Sequence, residues 1–251
     1  MGDYIIKKEH GLLQFIINRP SKRNAVNYEV MDGLEKALEE CEKNEDIKLL
    51  VITGTGEKAF CSGGDLSLFR HLKTEEESYA MLSKMGRIVT RLALLSKPTI
   101  AVINGIAIGG GCELATACDF RISKKEAKMG FVQGNLAITT GWGGSTLLLE
   151  KMPAPKALSL LMSARVHTAQ IMYDVGFIEE LLDDTRPILE VPFIQSLLNK
   201  STGVLTAYKS HFLSKLDRTK IERSIEKEIV QCSKLWALDE HHQAVQRFLE
   251  K

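Results

Sequence analysis

Apolar positions along the chain fall into short uninterrupted runs and longer stretches with helical spacing. Tyr4 to Lys8 and Leu12 to Asn18 are two short β-branched runs separated by His10 and Gly11, which predicts a hairpin. Asn27 stands where a helix cap belongs. Beyond it Met31, Leu34, Leu38 and Cys41 recur every three or four residues, predicting a helix from Tyr28 to about Lys43. Leu49 to Thr53 and Pro98 to Ile103 read as buried strands, and glutamate-rich Thr74 to Leu95 between them reads as a long amphipathic helix. Arg121 to Ser123 ends a short strand, Lys124 to Lys128 is a charged turn, and Met129 to Gly141 is an irregular, mostly uncharged loop. Trp142-Gly-Gly-Ser opens a helix to about Lys151. Pro153 and Pro155 punctuate, helices follow at Ala157 to Ser163 and Thr168 to Val175, and Phe177 to Leu182 is a candidate strand.

From Pro187 onward glycines nearly vanish and four helical segments follow, Ile221 to Trp236 the longest, with no strand among them. The chain thus divides into an α/β core, residues 1–186, and an α-helical region, residues 187–251, whose apolar stripes suit subunit packing or a cover over a site.

Two of the strands carry the same punctuation. Leu49 to Thr53 runs into a glycine-rich loop holding Gly63-Gly64, and Pro98 to Ile103 runs into Gly109-Gly110-Gly111, each before a helix. If the strands are parallel in one sheet, both loops fall at one edge, because such sheets gather their sites at strand carboxyl ends. Glycines at a helix start leave bare N–H groups beside the positive end of the peptide dipoles, a place for negative charge. Two such groups converging on one oxygen would form an oxyanion hole, and Glu113, in the first turn after the triple glycine, is placed to move protons beside it.

Composition narrows the alternatives. A net charge of +1 over 251 residues, with no dense basic patch, argues against a nucleic-acid coat. The five cysteines are odd in number, sit mostly in apolar surroundings and form no CxxC pair, which predicts buried thiols, a reducing compartment and no zinc site. The first residues are charged too soon for a signal peptide and no apolar run is long enough to span a membrane, so the cytoplasm is the expected location. The glycine loops lack GxGxxG spacing, no GK[ST] follows them, and there is no GxSxG nucleophile elbow. The six histidines are scattered, and His241 and His242 fall on a helix that reads as solvated; metal chemistry is not indicated. The loop Asn18 to Asn24 carries three cations and reads either as a solvated turn or as a phosphate contact.

Taken together, Phe60-Cys-Ser-Gly-Gly-Asp65, Gly109-Gly-Gly-Cys-Glu-Leu114, Cys118-Asp-Phe-Arg121, Asn18-Arg-Pro20 and Asn24-Ala25 resemble the enoyl-CoA hydratase/isomerase (crotonase) family, in register from the first hairpin to about Glu180. The resemblance implies an α/β fold, a crotonase-like spiral of ββα units with a helical C-terminal trimerisation region, and homotrimers often paired into hexamers. It implies acyl-CoA thioesters as substrates, with no cofactor beyond the coenzyme A that belongs to the substrate. It further implies that the N–H groups of Gly64 and Gly110 bind the thioester oxygen as an enolate forms, with Glu113 matching the first of two hydratase glutamates.

The second glutamate is missing, because aligning Ala127-Lys-Met-Gly130 and Gly141 to Gly144 with the family brings Gln133 to its position. Glutamine cannot donate and recover a proton, whereas hydration asks for an acid and a base across the double bond. One acid or base suffices for decarboxylation of a malonyl-type thioester, since loss of carbon dioxide itself generates the enolate. Ala117 to Arg121, Phe131-Val132 and Gly141 to Gly144 are similar to ethylmalonyl-CoA decarboxylase-like relatives. Three readings follow: a hydratase-like lyase with one glutamate, a malonyl-type decarboxylase, and a non-catalytic thioester-binding module. Substrate contacts are expected at Ala25, Gly63, Asp65, Gln133 and Trp142. Trp142 reads either as a pocket wall that limits acyl size or as a core or subunit-contact aromatic, and Lys22, Arg23 and Lys58 are candidates for the coenzyme A phosphates.

Overall fold

The computed structural model describes residues 2–183 and 186–250. The chain begins with β1 (Tyr4–Glu9) and β2 (Leu12–Ile17), paired antiparallel with Tyr4 opposite Ile17 and Glu9 opposite Leu12. His10 and Gly11 between them have φ of 49° and 80°, as a tight two-residue hairpin with right-handed strand twist requires. In α1 (Tyr28–Lys43) the side chain of Asn27 accepts from Val30 N–H, a cap worth about 1 kcal/mol.

The chain then repeats one unit. A long strand is followed by a short strand that leaves the first sheet, and the short strand by helix. In order these are β3 (Leu49–Gly54), β4 (Ala59–Cys61), α2 (Leu66–Phe69) and α3 (Glu75–Ala93); β5 (Thr99–Ile103), β6 (Ile106–Ile108) and α4 (Gly110–Ala117); then β7 (Phe120–Lys124), β8 (Lys128–Gly130), α5 (Gly144–Lys151) and α6 (Ala154–Ser163). After β9 (His167–Thr168), α7 (Ala169–Asp174) and β10 (Glu180–Leu182) come α8 (Pro192–Leu198), α9 (Thr202–Leu213), α10 (Arg218–Trp236) and α11 (Asp239–Leu249). The long strands, with the short β10 at one edge, form one sheet in the order β1-β2-β3-β5-β7-β10, and the remaining short strands a second, β4-β6-β8-β9. This is the spiral of ββα turns expected from the resemblance.

The uninterrupted apolar runs have a direct cause. Leu50 and Ile52 of β3 and Ala101 and Ile103 of β5 face the large core beneath α1, α3, α4 and α10. Leu49 and Val51, with Ile100 and Val102, face a second, smaller core closed by Val191 and Ile194 of the C-terminal region. A parallel sheet covered on both faces has no polar side to display.

The C-terminal helices pack closely on the spiral. At Gly86 of α3 a Cβ would come within 2.6 Å of Ile229 Cδ1 on α10, and buried Lys209 of α9 pairs with Asp119 before β7. No described helix is long and apolar enough to cross a membrane.

The structure corrects several local expectations. The stretch 129–141 holds β8 and a 3-10 turn, Gln133–Leu136, and only Glu180–Leu182 of the run 177–182 is strand. Helix α6 starts at Ala154, with Pro155 in its first turn, where a missing N–H leaves nothing unpaired. His241 is not solvated. It is 1% exposed, its ring lies 4.6 Å from that of Trp236, and its Nδ1 is 2.7 Å from the Leu136 carbonyl. A histidine on the inner stripe of α11 has the same spacing signature as one on the outer stripe until its neighbour is known.

Candidate active site

Because β3 and β5 are parallel neighbours and β4 and β6 are parallel neighbours, the two glycine loops leave the sheets side by side. A Cβ placed on Gly63 would lie 3.2 Å from the backbone nitrogen of Gly110. Among the described residues, the N–H groups of Gly64 and Gly110 donate to no backbone acceptor in turns, loops or caps. The loops are held from outside by two buried amides. Asn24 donates to the carbonyls of Thr55 and Ala59, and Asn104 to those of Gly54 and Gly56. The glycine at position 110 is a steric requirement, since a Cβ there would meet Trp142 Cζ3 at 2.2 Å.

Glu113, 3% exposed, projects from the first turn of α4 into a ring of donors. Gln133 Nε2 donates to its Oε1 at 2.8 Å, and the backbone N–H groups of Trp142 and Gly144 donate to its Oε2 at 2.8 and 2.9 Å. Glycine at 144 lets the carboxylate come this close, because a Cβ would sit 2.4 Å from Glu113 Cγ. Burial raises the Glu113 carboxyl and the charge of nearby Glu228 raises it further, while the hydrogen bonds from Trp142, Gly144 and Gln133 oppose both. The result is a value near neutrality, about 7. Among the described residues, the ion pairs with a buried member are Arg19 with Asp65, Arg121 with Glu179, and Lys209 with Asp119, none of which includes Glu113. A buried carboxyl titrating near neutral pH can both take and give a proton.

These groups open on a cavity of about 780 Å³, within the size range of small-molecule sites. Gly63, Gly64, Gly110, Glu113, Gln133 and Trp142 line it, and with Arg23, which lines it too, the structure gathers seven of the residues proposed from sequence. Lys22 and Lys58 are not on its wall; the lining cations besides Arg23 are Lys128 and Arg247. Ala25 and Asp65 also lie behind the wall. The Ala25 carbonyl accepts from Arg19 Nη1, and the Asp65 carboxylate is taken up by Arg19 and by Ser67 at the start of α2. Sequence reasoning missed Cys232, Trp236, Ala244 and Phe248, which α10 and α11 bring to the same cavity. Glu228 also escaped it, although there was a signal: a carboxylate interrupting the apolar stripe Ile221, Ile225, Ile229, Cys232.

The sequence profile of the enoyl-CoA hydratase/isomerase family matches residues 7–251. The chain belongs to this family. A crotonyl-CoA hydratase of Syntrophomonas wolfei is 30% identical over 98% of the chain and 95% of the relative. The human ethylmalonyl-CoA decarboxylase is 31% identical over 83% of the chain and 69% of its own length. The fold matches the crystal structure of an enoyl-CoA hydratase from Bacillus halodurans with a TM-score of 0.89 at 20% identity, covering 98% of this chain and 99% of the other. Family membership makes this an acyl-CoA enzyme.

Proposed function

We propose that the protein is an acyl-CoA lyase of the hydratase type that works with one carboxylate, holding the thioester oxygen between the N–H groups of Gly64 and Gly110 while an enolate forms. The observation that carries this reading is the position of Glu113, a near-neutral carboxyl beside two adjacent glycine N–H groups at the cavity wall. In the hydratase direction the oxygen of water bonds to C3, Glu113 takes the water proton, and the same proton passes to C2 as the enolate collapses. The lining cations Arg23, Lys128 and Arg247 suit the phosphates of the coenzyme A portion.

A second reading rests on Gln133. A neutral amide stands at the position aligned with the second glutamate and donates to Glu113, so a malonyl-type carboxylate would meet no second negative side chain there. In that reaction the bond to the carboxylate breaks, its electron pair becomes the enolate, carbon dioxide leaves, and protonated Glu113 delivers one proton to the α-carbon. Resemblance to proteins named ethylmalonyl-CoA decarboxylase supports this reading as well.

Incubation with short and medium enoyl-CoAs and with methylmalonyl- and ethylmalonyl-CoA, read by mass spectrometry, separates the two. Gain of water marks the first reaction and loss of carbon dioxide the second. Tight binding with no product from either set overturns both and leaves a thioester-binding module.

A further inference from the structure

The short turn that precedes α5 is gripped from two sides. Glu113 takes the N–H groups of Trp142 and Gly144. Glu228, reaching over from α10 and 5% exposed, takes those of Gly143, Ser145 and Thr146 together with the hydroxyls of Ser145 and Thr146. Successive N–H groups of one turn are thus divided between two buried carboxylates. The N-cap of α5 is Gly143, which has no side chain to accept a bond; Thr140 Oγ1 accepts from Ser145 N–H at 3.2 Å, and Glu228 supplies from a distant helix the other side-chain acceptors of this first turn.

We propose that Glu228 is a positioning residue for proton transfer at Glu113: it fixes the turn at Gly143 to Thr146 so that Trp142 and Gly144 keep donating to Glu113, and it places a second negative charge behind that carboxylate. The proposal rests on the reading of Glu113 as the proton carrier. The titratable groups facing Glu113 are Glu228 and Cys232 on α10 and Cys112 on its own helix. Burial pushes both thiols far above their ordinary range, which leaves them neutral and leaves Glu228 as the charge that Glu113 feels. With Glu228 in place, Glu113 is held nearer its protonated form than its hydrogen-bond donors alone would allow.

The test uses the full chain with carboxyl-¹³C glutamate, the Glu113 signal being assigned by its loss in Glu113→Gln. Glu228→Gln should lower the Glu113 midpoint by roughly one pH unit. On the thioester that the panel identifies, it should reduce kcat by about tenfold to a hundredfold with KM little changed, and carry the Glu113-dependent limb of the pH profile to lower pH. An unmoved midpoint and an unmoved limb overturn the proposal. Should Glu228→Gln fail to fold, Ser145→Ala/Thr146→Val keeps the charge and removes two hydroxyl donors. Amide exchange at Trp142 and Gly144 should then rise about tenfold while β3 is unaffected, and unchanged exchange at both overturns the clamp. The NMR midpoint needs no substrate. If Glu113→Gln remains fully active, the reading of Glu113 falls whatever the midpoint shows; if it is inactive but Glu228→Gln changes nothing, only the role of Glu228 falls.

Discussion

The two glycine loops make a controlled comparison inside one chain. Each follows a short strand of the second sheet, each opens a helix, and each has a carboxylate within a few residues, Asp65 in the first and Glu113 in the second. Their surroundings drive the two carboxyls in opposite directions. Burial alone would raise Asp65, but the hydrogen bonds from Ser67 and Arg19 and the Arg19 charge hold it below the usual carboxylate range. Among the described residues no cation pairs with Glu113, which is deeper and faces the charge of Glu228, so it rises to about 7. On the function proposed above, the difference assigns the labour: the first loop would offer an N–H and a rigid anchor, the second an N–H and a titrating group.

The largest test breaks the comparison at its two carboxylates. Glu113→Gln should reduce turnover about a thousandfold with thioester affinity nearly intact, as general acid–base catalysis is lost while the glycine N–H groups remain. Asp65→Asn should instead cost about 2 kcal/mol of stability in denaturant melts, from weakened charge-assisted bonds to Arg19 and Ser67, with much smaller loss of turnover. Equal kinetic losses in the two variants would dissolve the distinction.

Next in size is Gly144→Ala. The new Cβ has no room beside Glu113 Cγ, so the carboxylate must shift, and kcat should fall roughly a hundredfold. Retained kcat would mean that the donor ring around Glu113 is not what positions it.

The raised value of Glu113 also has a thermodynamic sign. Its folded value, about 7, exceeds its ordinary 4.5, so the folded chain binds more protons between those limits. Stability contributed by this group is therefore full below about 4.5 and is lost as pH rises to about 7, on the order of 3 kcal/mol in all. Comparing denaturant midpoints of wild type and Glu113→Gln across pH isolates it, and a difference that grows in the opposite direction contradicts the assignment. Asp65 has the reverse sign: its contribution is present above the ordinary carboxylate range and fades as pH falls through its depressed folded value.

The smallest expected effect concerns the wall shared by the two loops. The Trp142 ring lies against Gly110 and within 3.6 Å of the Cβ position of Gly64. Trp142→Phe should shift the preference among acyl-CoAs toward longer chains by about tenfold in kcat/KM. An unchanged preference would reassign Trp142 to packing alone.

Much of this was legible in the residue order. The buried strands, the capped helices and the paired glycine loops are local signals: a cap needs only the next three residues, and a strand covered on both faces must be apolar throughout. Gly64, Gly110 and Glu113 could be singled out because parallel strands deliver their loops to a common edge. What lay beyond reach depends on chain separation. Glu228 sits 85 residues from the Gly143 N–H that it accepts from, and no periodicity in α10 states which turn its odd carboxylate will meet. Nor could order alone show that Arg19 silences Asp65 across 46 residues while, among the described residues, no cation pairs with Glu113. Sequence determined where the backbone N–H groups and carboxylates would be; tertiary packing decided which carboxylate kept its charge, because the energy of a buried charge is set by neighbours brought together only on folding.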